Sequence, residues 1–286
     1  MDKKSIFVTR PSMPPYEEYV KRIKPLWDKR ILTNMGEHHQ TLEKCLCSYL
    51  KANFVSLMTN GHMALEMAMQ SMNLSGEVIT TPFTFVSTVH AIKRTNLTPV
   101  FCDINENDFT IDVSKIESLI NKHTCAIVPV HVFGRICNVE KLSEIAKKYD
   151  LKIIYDASHT FGATYKGEHI ANFGDISTLS FHATKVFNTI EGGAVVYHDE
   201  TVGRELYSLK NFGIRSENVI DGIGANAKMD EFRAIMGICN LQYIDSELKK
   251  RQMVHDKYIE LLDGIEGLVL PYIQKYVKSN YAYFPV

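Results

Sequence analysis

Short apolar runs alternate with stretches of helical periodicity along most of the chain. Seven apolar runs predict β-strands, at residues 54–58, 78–80, 99–102, 125–130, 151–155, 176–181 and 194–197. Between them, apolar residues recur three and four positions apart, which is the spacing of a helix with one buried face. Strands that are apolar throughout and alternate with helices form a mainly parallel sheet with helices on both faces. The pattern therefore predicts an α/β fold with a mainly parallel seven-stranded sheet flanked by helices.

The end of the chain has a different pattern. Residues 231–262 have helical periodicity without an intervening strand, and we expect them to lead out of the large domain. We therefore expect a large domain at residues 1–235, followed at residues 236–286 by a linker helix and the start of a small C-terminal domain. Residues 281–286 resemble the beginning of a strand, so this small domain is predicted to be incomplete.

Composition is that of an ordinary globular protein. The chain has 286 residues, of which 45% are hydrophobic and 23% charged, enough for one large domain and part of a second. A formal net charge of −1 argues against a nucleic-acid partner. The sequence has no apolar run that could cross a bilayer and no secretory signal. The six cysteines lack metal-ligand spacing and fit a reducing compartment. We therefore expect a cytoplasmic protein without a membrane or metal partner.

The first candidate for ligand binding is the turn at residues 59–62. Asn60, Gly61 and His62 lie between a predicted strand and a predicted helix. A helix N-terminus presents free backbone N–H groups and the positive end of its dipole, which together suit a phosphate. Taken alone, a glycine at such a position is more often only a turn residue, so both interpretations stay open at this point.

A carboxylate follows the fifth predicted strand. Asp156 comes directly after residues 152–155, and His159 lies three positions further on. Ligands bind at the carboxyl ends of the strands in parallel sheets. Asp156 is therefore placed to pair with a protonated ring nitrogen of a cofactor. This pairing keeps the ring positively charged, so that it can act as an electron sink. For an isolated aspartate, capping of the following turn is the commoner role.

A lysine follows the sixth predicted strand. Lys185 ends the segment 180–185 and precedes the glycine pair at residues 192–193. A lone lysine is normally a solvated surface charge, but this one lies among apolar and hydroxyl residues. Burial lowers the pKa of a lysine and makes its amine nucleophilic, which covalent attachment to a carbonyl cofactor requires. Lys185 is therefore the strongest candidate for covalent chemistry.

In combination, these segments resemble the DegT/DnrJ/EryC1/StrS family. Its members are pyridoxal-phosphate-dependent aminotransferases of fold type I that act on nucleotide-linked keto-sugars. The resemblance extends from about Pro11 to the C-terminus and rests on residues 59–61, 81–85, 129–131, 156–159 and 180–185. Five segments in a fixed order are far more specific than a single glycine motif. The resemblance implies the fold of PLP-dependent transferases, with pyridoxal 5′-phosphate (PLP) as the cofactor.

The resemblance also implies a role for each matching residue. Lys185 and Asp156 would be catalytic: Lys185 would bind the cofactor covalently and later move a proton, and Asp156 would hold the pyridine nitrogen. Phe85 would stack on the cofactor ring, and His159 would lie near the ring hydroxyl. The remaining cofactor-binding residues would be Asn60, Gly61, His62, Ser180 and Asn226. Asn226 matches a segment that reaches into the neighbouring subunit's site, which implies a homodimer with shared active sites.

Residues 31–36, 59–62 and 185–193 are especially similar to one group within the family. Its members transfer an amino group from glutamate to C4 of dTDP-4-keto-6-deoxyglucose. The implied product is dTDP-4-amino-4,6-dideoxyglucose, a precursor of O-antigen or a similar surface polysaccharide. The same fold also hosts enzymes that aminate C3 of similar sugars, because regiochemistry depends on how the pocket holds the sugar.

Three other functions remain to be compared. A keto-sugar dehydratase of this family has histidine at the position of Lys185, so the lysine favours amino transfer. A degenerate protein that binds PLP without activity remains open because the small domain is expected to be incomplete. A Rossmann-type nucleotide-sugar oxidoreductase needs a G-x-G-x-x-G turn after its first strand, and residues 60–63 do not match it.

Overall fold

The computed structural model describes residues 9–286. Its helices are α1 (Tyr16–Ile23), α2 (Leu26–Lys29), α3 (Glu37–Leu50), α4 (Gly61–Ser71), α5 (Val86–Arg94), α6 (Val113–Ile116), α7 (Val139–Tyr149), α8 (Glu200–Leu209), α9 (Glu231–Leu241) and α10 (Ile244–Leu262). Its strands are β1 (Phe54–Met58), β2 (Glu77–Thr80), β3 (Thr98–Phe101), β4 (Thr124–Ile127), β5 (Lys152–Asp156), β6 (Thr164–Tyr165), β7 (Glu168–His169), β8 (Ile176–Ser180), β9 (Gly193–Tyr197), β10 (Ile214–Ser216), β11 (Val219–Ile220) and β12 (Val277–Lys278). Short 3₁₀ turns lie at Glu117–Leu119, Val132–Gly134 and Ile170–Asn172.

A seven-stranded sheet with the order β1-β9-β8-β5-β4-β2-β3 forms the centre of the fold. The pairs β2–β3, β2–β4, β4–β5 and β5–β8 are parallel. Strand β9 runs antiparallel to both of its neighbours, β8 and β1. The predicted mainly parallel seven-stranded sheet is therefore confirmed. Because β9 alone is reversed in this sheet, its amino end lies at the same edge as the carboxyl ends of the other strands.

Helices cover both faces of the sheet. On one face, α4, α5 and α8 pack in a common apolar cluster with residues such as Val78 and Ile154. On the other face, one cluster joins α3 and α9 to β1, β8 and β9, and another joins α6 and α7 to β2, β4 and β5. Adjacent strand residues such as Ile153 and Ile154 enter opposite layers, because successive side chains of a strand point to opposite faces. No helix within residues 9–286 is both long and apolar enough to span a bilayer.

The C-terminal part differs from expectation at one point. Residues 281–286 form no strand, so that prediction is wrong. Tyr281 has a φ of +52°, which is incompatible with an extended strand. The rings of Tyr283 and Phe284 instead pack on His159 and Tyr258. The strand of this region is β12, which pairs with β6.

The helical segment 231–262 is divided into α9 and α10 at residues 242–243. The expected domain boundary after residue 235 falls within α9. The division into a large domain and a second part stays a prediction.

Candidate active site

A cavity of about 890 Å³ lies where the carboxyl ends of the parallel strands meet. Segments that follow β1, β2, β4, β5 and β8 contribute to its wall, as expected for an open α/β sheet. Eight of the nine residues predicted to bind a cofactor line this cavity: Asn60, Gly61, His62, Phe85, Asp156, His159, Ser180 and Lys185. The sheet therefore brings together residues that are far apart in the sequence.

The turn between β1 and α4 forms a close cradle with Ser180. Asn60 caps α4, since its side-chain oxygen accepts a hydrogen bond from the Met63 N–H at 2.8 Å. The N–H groups of Gly61 and His62 have no acceptor among residues 9–286. A Cβ on Gly61 would lie 2.7 Å from the Ser180 Cβ, so glycine lets the helix start approach the hydroxyl group. These donors suit an anion such as phosphate.

Asp156 is buried at the end of β5, with 5% of its surface exposed. Its carboxylate oxygens accept hydrogen bonds from the Thr88 hydroxyl at 2.8 Å and from the Ser158 N–H at 3.1 Å. The Thr84 hydroxyl lies 2.8 Å from the Thr88 hydroxyl and extends this chain of bonds. A carboxylate has about four lone-pair sites. These two bonds therefore orient Asp156 and leave acceptor capacity for a ligand.

Lys185 places an amine in the cavity wall beside this carboxylate. Burial lowers the pKa of the Lys185 amine, and the negative charge of Asp156 opposes the shift. A lowered pKa increases the fraction of neutral amine, which is the nucleophilic form. The environment of Lys185 is therefore suited to attack on a carbonyl carbon.

His159 is held as a neutral ring next to Lys185. Burial and the positive charge of Lys185 lower its pKa to about 4, against the opposing charge of Asp156. Its Nδ1 accepts a hydrogen bond from the Phe133 N–H at 3.0 Å, so the ring proton lies on Nε2. The Tyr283 ring packs against it with a centroid distance of 4.7 Å. His159 therefore carries its N–H at Nε2, where the Tyr283 hydroxyl lies 3.5 Å away.

The imidazole of His62 is occupied by protein partners. Its Nδ1 lies 2.8 Å from the Ser87 hydroxyl, and its Nε2 lies 2.9 Å from the Glu66 carboxylate. Arg94 also pairs with Glu66. The group of His62 that is available to a phosphate is therefore its backbone N–H.

Phe85 is an exposed aromatic ring in the cavity wall. It precedes α5 as its N-cap residue, and 75% of its surface is exposed. Phe83, Phe109 and Phe133 form an aromatic cluster, with ring centroids 5.8 to 6.2 Å apart. A large exposed ring in a cavity suits stacking on a flat ligand.

Several lining residues were not selected from the sequence. Arg233 belongs to the wall, and its Nη1 donates a hydrogen bond to the Thr59 hydroxyl at 3.1 Å. His131 also lines the cavity; burial lowers its pKa to about 3, and its Nδ1 accepts a hydrogen bond from the Cys137 N–H at 3.1 Å. His131 lies in a segment that carries the family resemblance, so the sequence contained a signal for it. No sequence signal marked Arg233, because it lies 174 positions from Thr59.

Asn226 does not line the cavity of its own chain. It is exposed and lies between β11 and α9, where it forms an isolated bridge with Asn211. Its side-chain oxygen accepts a hydrogen bond from the Lys228 amine at 2.9 Å. The expected contact with the cofactor of a neighbouring subunit therefore stays a prediction.

A lysine amine, a buried carboxylate and an anion cradle share this cavity. They are the features of enzymes that hold a phosphorylated carbonyl cofactor through lysine. Among residues 9–286, no group of three or more histidine, cysteine and acidic side chains could hold a metal ion.

The chain belongs to the DegT/DnrJ/EryC1/StrS aminotransferase family, whose profile matches residues 16–286. It is 43% identical over 286 residues to the dTDP-4-amino-4,6-dideoxy-D-glucose transaminase of Shigella dysenteriae, across 99% of this chain and 77% of that protein. For the Escherichia coli protein of the same name, identity is 39% across 100% of this chain and 77% of the relative. The crystal structure of DesI in the presence of its TDP-sugar product matches with a TM-score of 0.93 and 29% identity, over 98% of this chain and 71% of DesI. The predicted family and fold class are confirmed.

Proposed function

We propose that this protein is a PLP-dependent aminotransferase that moves an amino group from glutamate to C4 of dTDP-4-keto-6-deoxyglucose. The product would be dTDP-4-amino-4,6-dideoxyglucose, used for O-antigen or a similar surface polysaccharide. The observation that carries the proposal is the position of Lys185, whose amine shares one cavity with Asp156 and with the cradle at Gly61. Similarity to two relatives named for this product supports the choice of sugar.

The cavity residues fit PLP in charge and shape. The N–H groups of Gly61 and His62, with the Ser180 hydroxyl, would hold its phosphate. Phe85 would stack on the pyridine ring. Asp156 would accept a hydrogen bond from the protonated ring nitrogen. When bound, PLP supplies an electron sink for the carbon atom that gains or loses the amino group.

Lys185 would bind the cofactor covalently and would carry the proton that moves between carbon atoms during transfer. Its lowered pKa suits both tasks, because the amine must be neutral to attack a carbonyl carbon and to accept a proton. His159 would donate from Nε2 to the ring hydroxyl oxygen of PLP, since its Nδ1 is already bonded to Phe133. The neutral state of His159 adds no further positive charge beside the amine.

A homodimer would complete the site through Asn226. This residue is exposed, and the nearby Ile220 and Ile223 are 73% and 89% exposed. Large exposed aliphatic side chains of this kind suit burial against a second copy of the chain. We expect a dimer in analytical ultracentrifugation. Co-expression of inactive Lys185→Ala and Asn226→Ala chains should restore activity, because each mixed dimer would contain one intact site. Absence of such complementation would contradict shared sites.

The absorption spectrum of the purified protein with PLP, before and after addition of glutamate, tests the cofactor chemistry. We expect a cofactor band that depends on Lys185 and that glutamate converts to the spectrum of pyridoxamine phosphate. Lys185→Ala is the critical variant. Lys141→Ala, at an exposed lysine of α7, is the matched control and should behave like wild type.

The sugar is tested next, with dTDP-4-keto-6-deoxyglucose as the acceptor. NMR of the product would identify the carbon that bears the nitrogen. Amination only of a 3-keto isomer would show that the protein is one of the enzymes that aminate C3. A Lys185-dependent band that glutamate leaves unchanged would favour a PLP-binding protein without activity. A folded protein with no Lys185-dependent band would contradict the proposed function.

A further inference from the structure

Arg233 brings a permanent positive charge into the cavity wall, from the first turn of α9. Its Nη1 donates a hydrogen bond to the Thr59 hydroxyl at 3.1 Å. Its Nε lies 3.3 Å from the Asp230 carboxylate, which also caps α9 by accepting the Arg233 N–H at 3.0 Å. These contacts at two positions of the guanidinium group fix its plane. Nη2 has no hydrogen-bond partner among residues 9–286.

The charges of the loaded cavity leave a place for an anion beside Arg233. Arginine stays protonated in proteins, whereas burial lowers the pKa of Lys185, and the proposed function commits its amine to the cofactor. Among the described lining residues, Arg233 is therefore the side chain that keeps a permanent positive charge. Asp156 and Glu191 are the carboxylates of the same wall. Asp156 is bonded to Thr88 and Ser158.

Lys228, a second lysine, belongs to the segment around Asn226 and not to the cavity wall of its own chain. It is 9% exposed and does not line the cavity. Its Nζ donates to the side-chain oxygens of Asn211 and Asn226 at 2.8 and 2.9 Å, and it lies 4.7 Å from the ring centroid of Phe212. These contacts hold Lys228 in the segment around Asn226. Within residues 9–286 of one chain, Arg233 is therefore the lining side chain that keeps a permanent positive charge.

We propose that Arg233 binds an oxyanion in this cavity through Nη2 and the remaining N–H of Nη1. A planar fork of two donors matches the oxygen pair of a phosphate or a carboxylate. Thr59, the anchor of Arg233, directly precedes the Asn60–Gly61 turn, so the guanidinium group lies beside the phosphate cradle. The identity of the ligands rests on the proposed function, in which both the PLP phosphate and the glutamate carboxylates enter the cavity.

Two substitutions separate charge from geometry. Arg233→Gln removes the charge, and Arg233→Lys keeps the charge but cannot present two parallel donors. Arg204→Gln, at an exposed arginine of α8, is the matched control for loss of one arginine. Calorimetry measures the binding of inorganic phosphate to the apo-protein. Fluorescence titration compares PLP with pyridoxal, which lacks the phosphate, and spectral titration of the PLP-loaded protein measures glutamate.

We expect Arg233→Gln to weaken the binding of an anionic ligand by about tenfold to a hundredfold, the effect of losing a hydrogen bond to a charged group. Arg233→Lys should recover part of this loss, and pyridoxal should bind all variants equally. Weaker binding of PLP and inorganic phosphate would assign the fork to the cofactor phosphate. Weaker binding of glutamate alone would assign it to the donor carboxylate. Either result supports the proposal.

Unchanged affinities for phosphate, PLP and glutamate in Arg233→Gln would overturn the proposal. If Arg233→Gln does not fold, Arg233→Lys is the test. This variant lacks the pair of parallel donors, so unchanged affinity for every anion would also overturn the proposal. Binding of inorganic phosphate does not require the amine of Lys185. A failure of the proposed function, seen as a missing Lys185-dependent band, is therefore distinguishable from a failure of the Arg233 site.

Discussion

Replacement of Gly61 by alanine tests the contact between α4 and β8 directly. The new Cβ would lie 2.7 Å from the Ser180 Cβ, 3.0 Å from its Oγ and 3.2 Å from its Cα. Carbon atoms in contact normally lie about 3.5–4.0 Å apart, so the closest pair would overlap by roughly 1 Å. Rotation of the Ser180 side chain moves neither its Cβ nor its Cα. The helix start or the strand end must therefore shift.

Two opposing effects decide the size of the change in Gly61→Ala. Alanine in a helix is favoured over glycine by up to about 1 kcal/mol. Overpacking of a closely packed contact costs about 1–3 kcal/mol. We expect the overpacking to prevail, and the separation of α4 from the Ser180 hydroxyl to weaken the phosphate cradle. If this weakening lowers the free energy of PLP binding by about 1.4 kcal/mol, the affinity for PLP falls roughly tenfold.

PLP affinity is measured by titration of the apo-protein, and the free energy of unfolding is measured in urea. Gly203→Ala is the control. Gly203 lies in α8, outside the cavity wall, and its new Cβ would lie 2.7 Å from the Tyr197 hydroxyl. The close atoms are the end of a side chain, which can move, and alanine is favoured over glycine within a helix. Gly203→Ala should therefore change stability little and leave PLP affinity unchanged. If Gly61→Ala binds PLP as tightly as wild type, the assignment of this turn as the phosphate cradle is wrong.

Three further substitutions test the interior of the fold. Asn60→Ala removes the side-chain oxygen that caps α4 at the Met63 N–H and should lower the free energy of unfolding by about 1 kcal/mol; Asn60→Asp keeps an acceptor, so an equal loss in both variants would contradict the capping role. Lys210→Met removes the amine that lies 3.3 Å from the Glu43 carboxylate, while the carboxylate keeps its contacts with His39 and with the Leu57 N–H. The free energy of unfolding in urea should fall by about 1.5–3 kcal/mol, the effect of losing a hydrogen bond to a charged group; an unchanged free energy of unfolding would show that this pair is not needed for stability. His131 has a pKa lowered by burial to about 3 in the folded protein, against about 6.5 in the unfolded chain. The unfolded state therefore binds the extra proton between these values, so stability falls as the pH drops below about 6.5, by up to about 1.4 kcal/mol per pH unit. His131→Gln should flatten this dependence in urea unfolding, and an equal slope in both proteins would contradict a buried neutral ring.

The local pattern of apolar residues determined the sheet and the edge at which the site lies. Each strand of the large sheet overlaps an apolar run, and such runs favour a strand that is covered on both faces; the edge strand β3 is the exception, since none of its residues is buried. Because parallel strands share one carboxyl edge, the positions of Lys185 and Asp156 after two separate runs predict that they belong to one site. Short segments in a fixed order then identify the family, since each segment is a short stretch of sequence that can be recognised without knowing which other segments it contacts.

Contacts between distant segments were decided by the tertiary structure alone. Arg233 lies 174 positions from Thr59, and Asn280 donates to the carbonyl oxygen of His159 from 121 positions away. Periodicity reports which side chains are buried, but it does not report which buried or polar side chains meet. The reversed direction of β9 depends likewise on its pairing with β8 and β1, because an apolar run has no direction of its own. The expected strand at residues 281–286 failed for the same reason, since the left-handed backbone of Tyr281 and the aromatic contacts of its neighbours are set by packing.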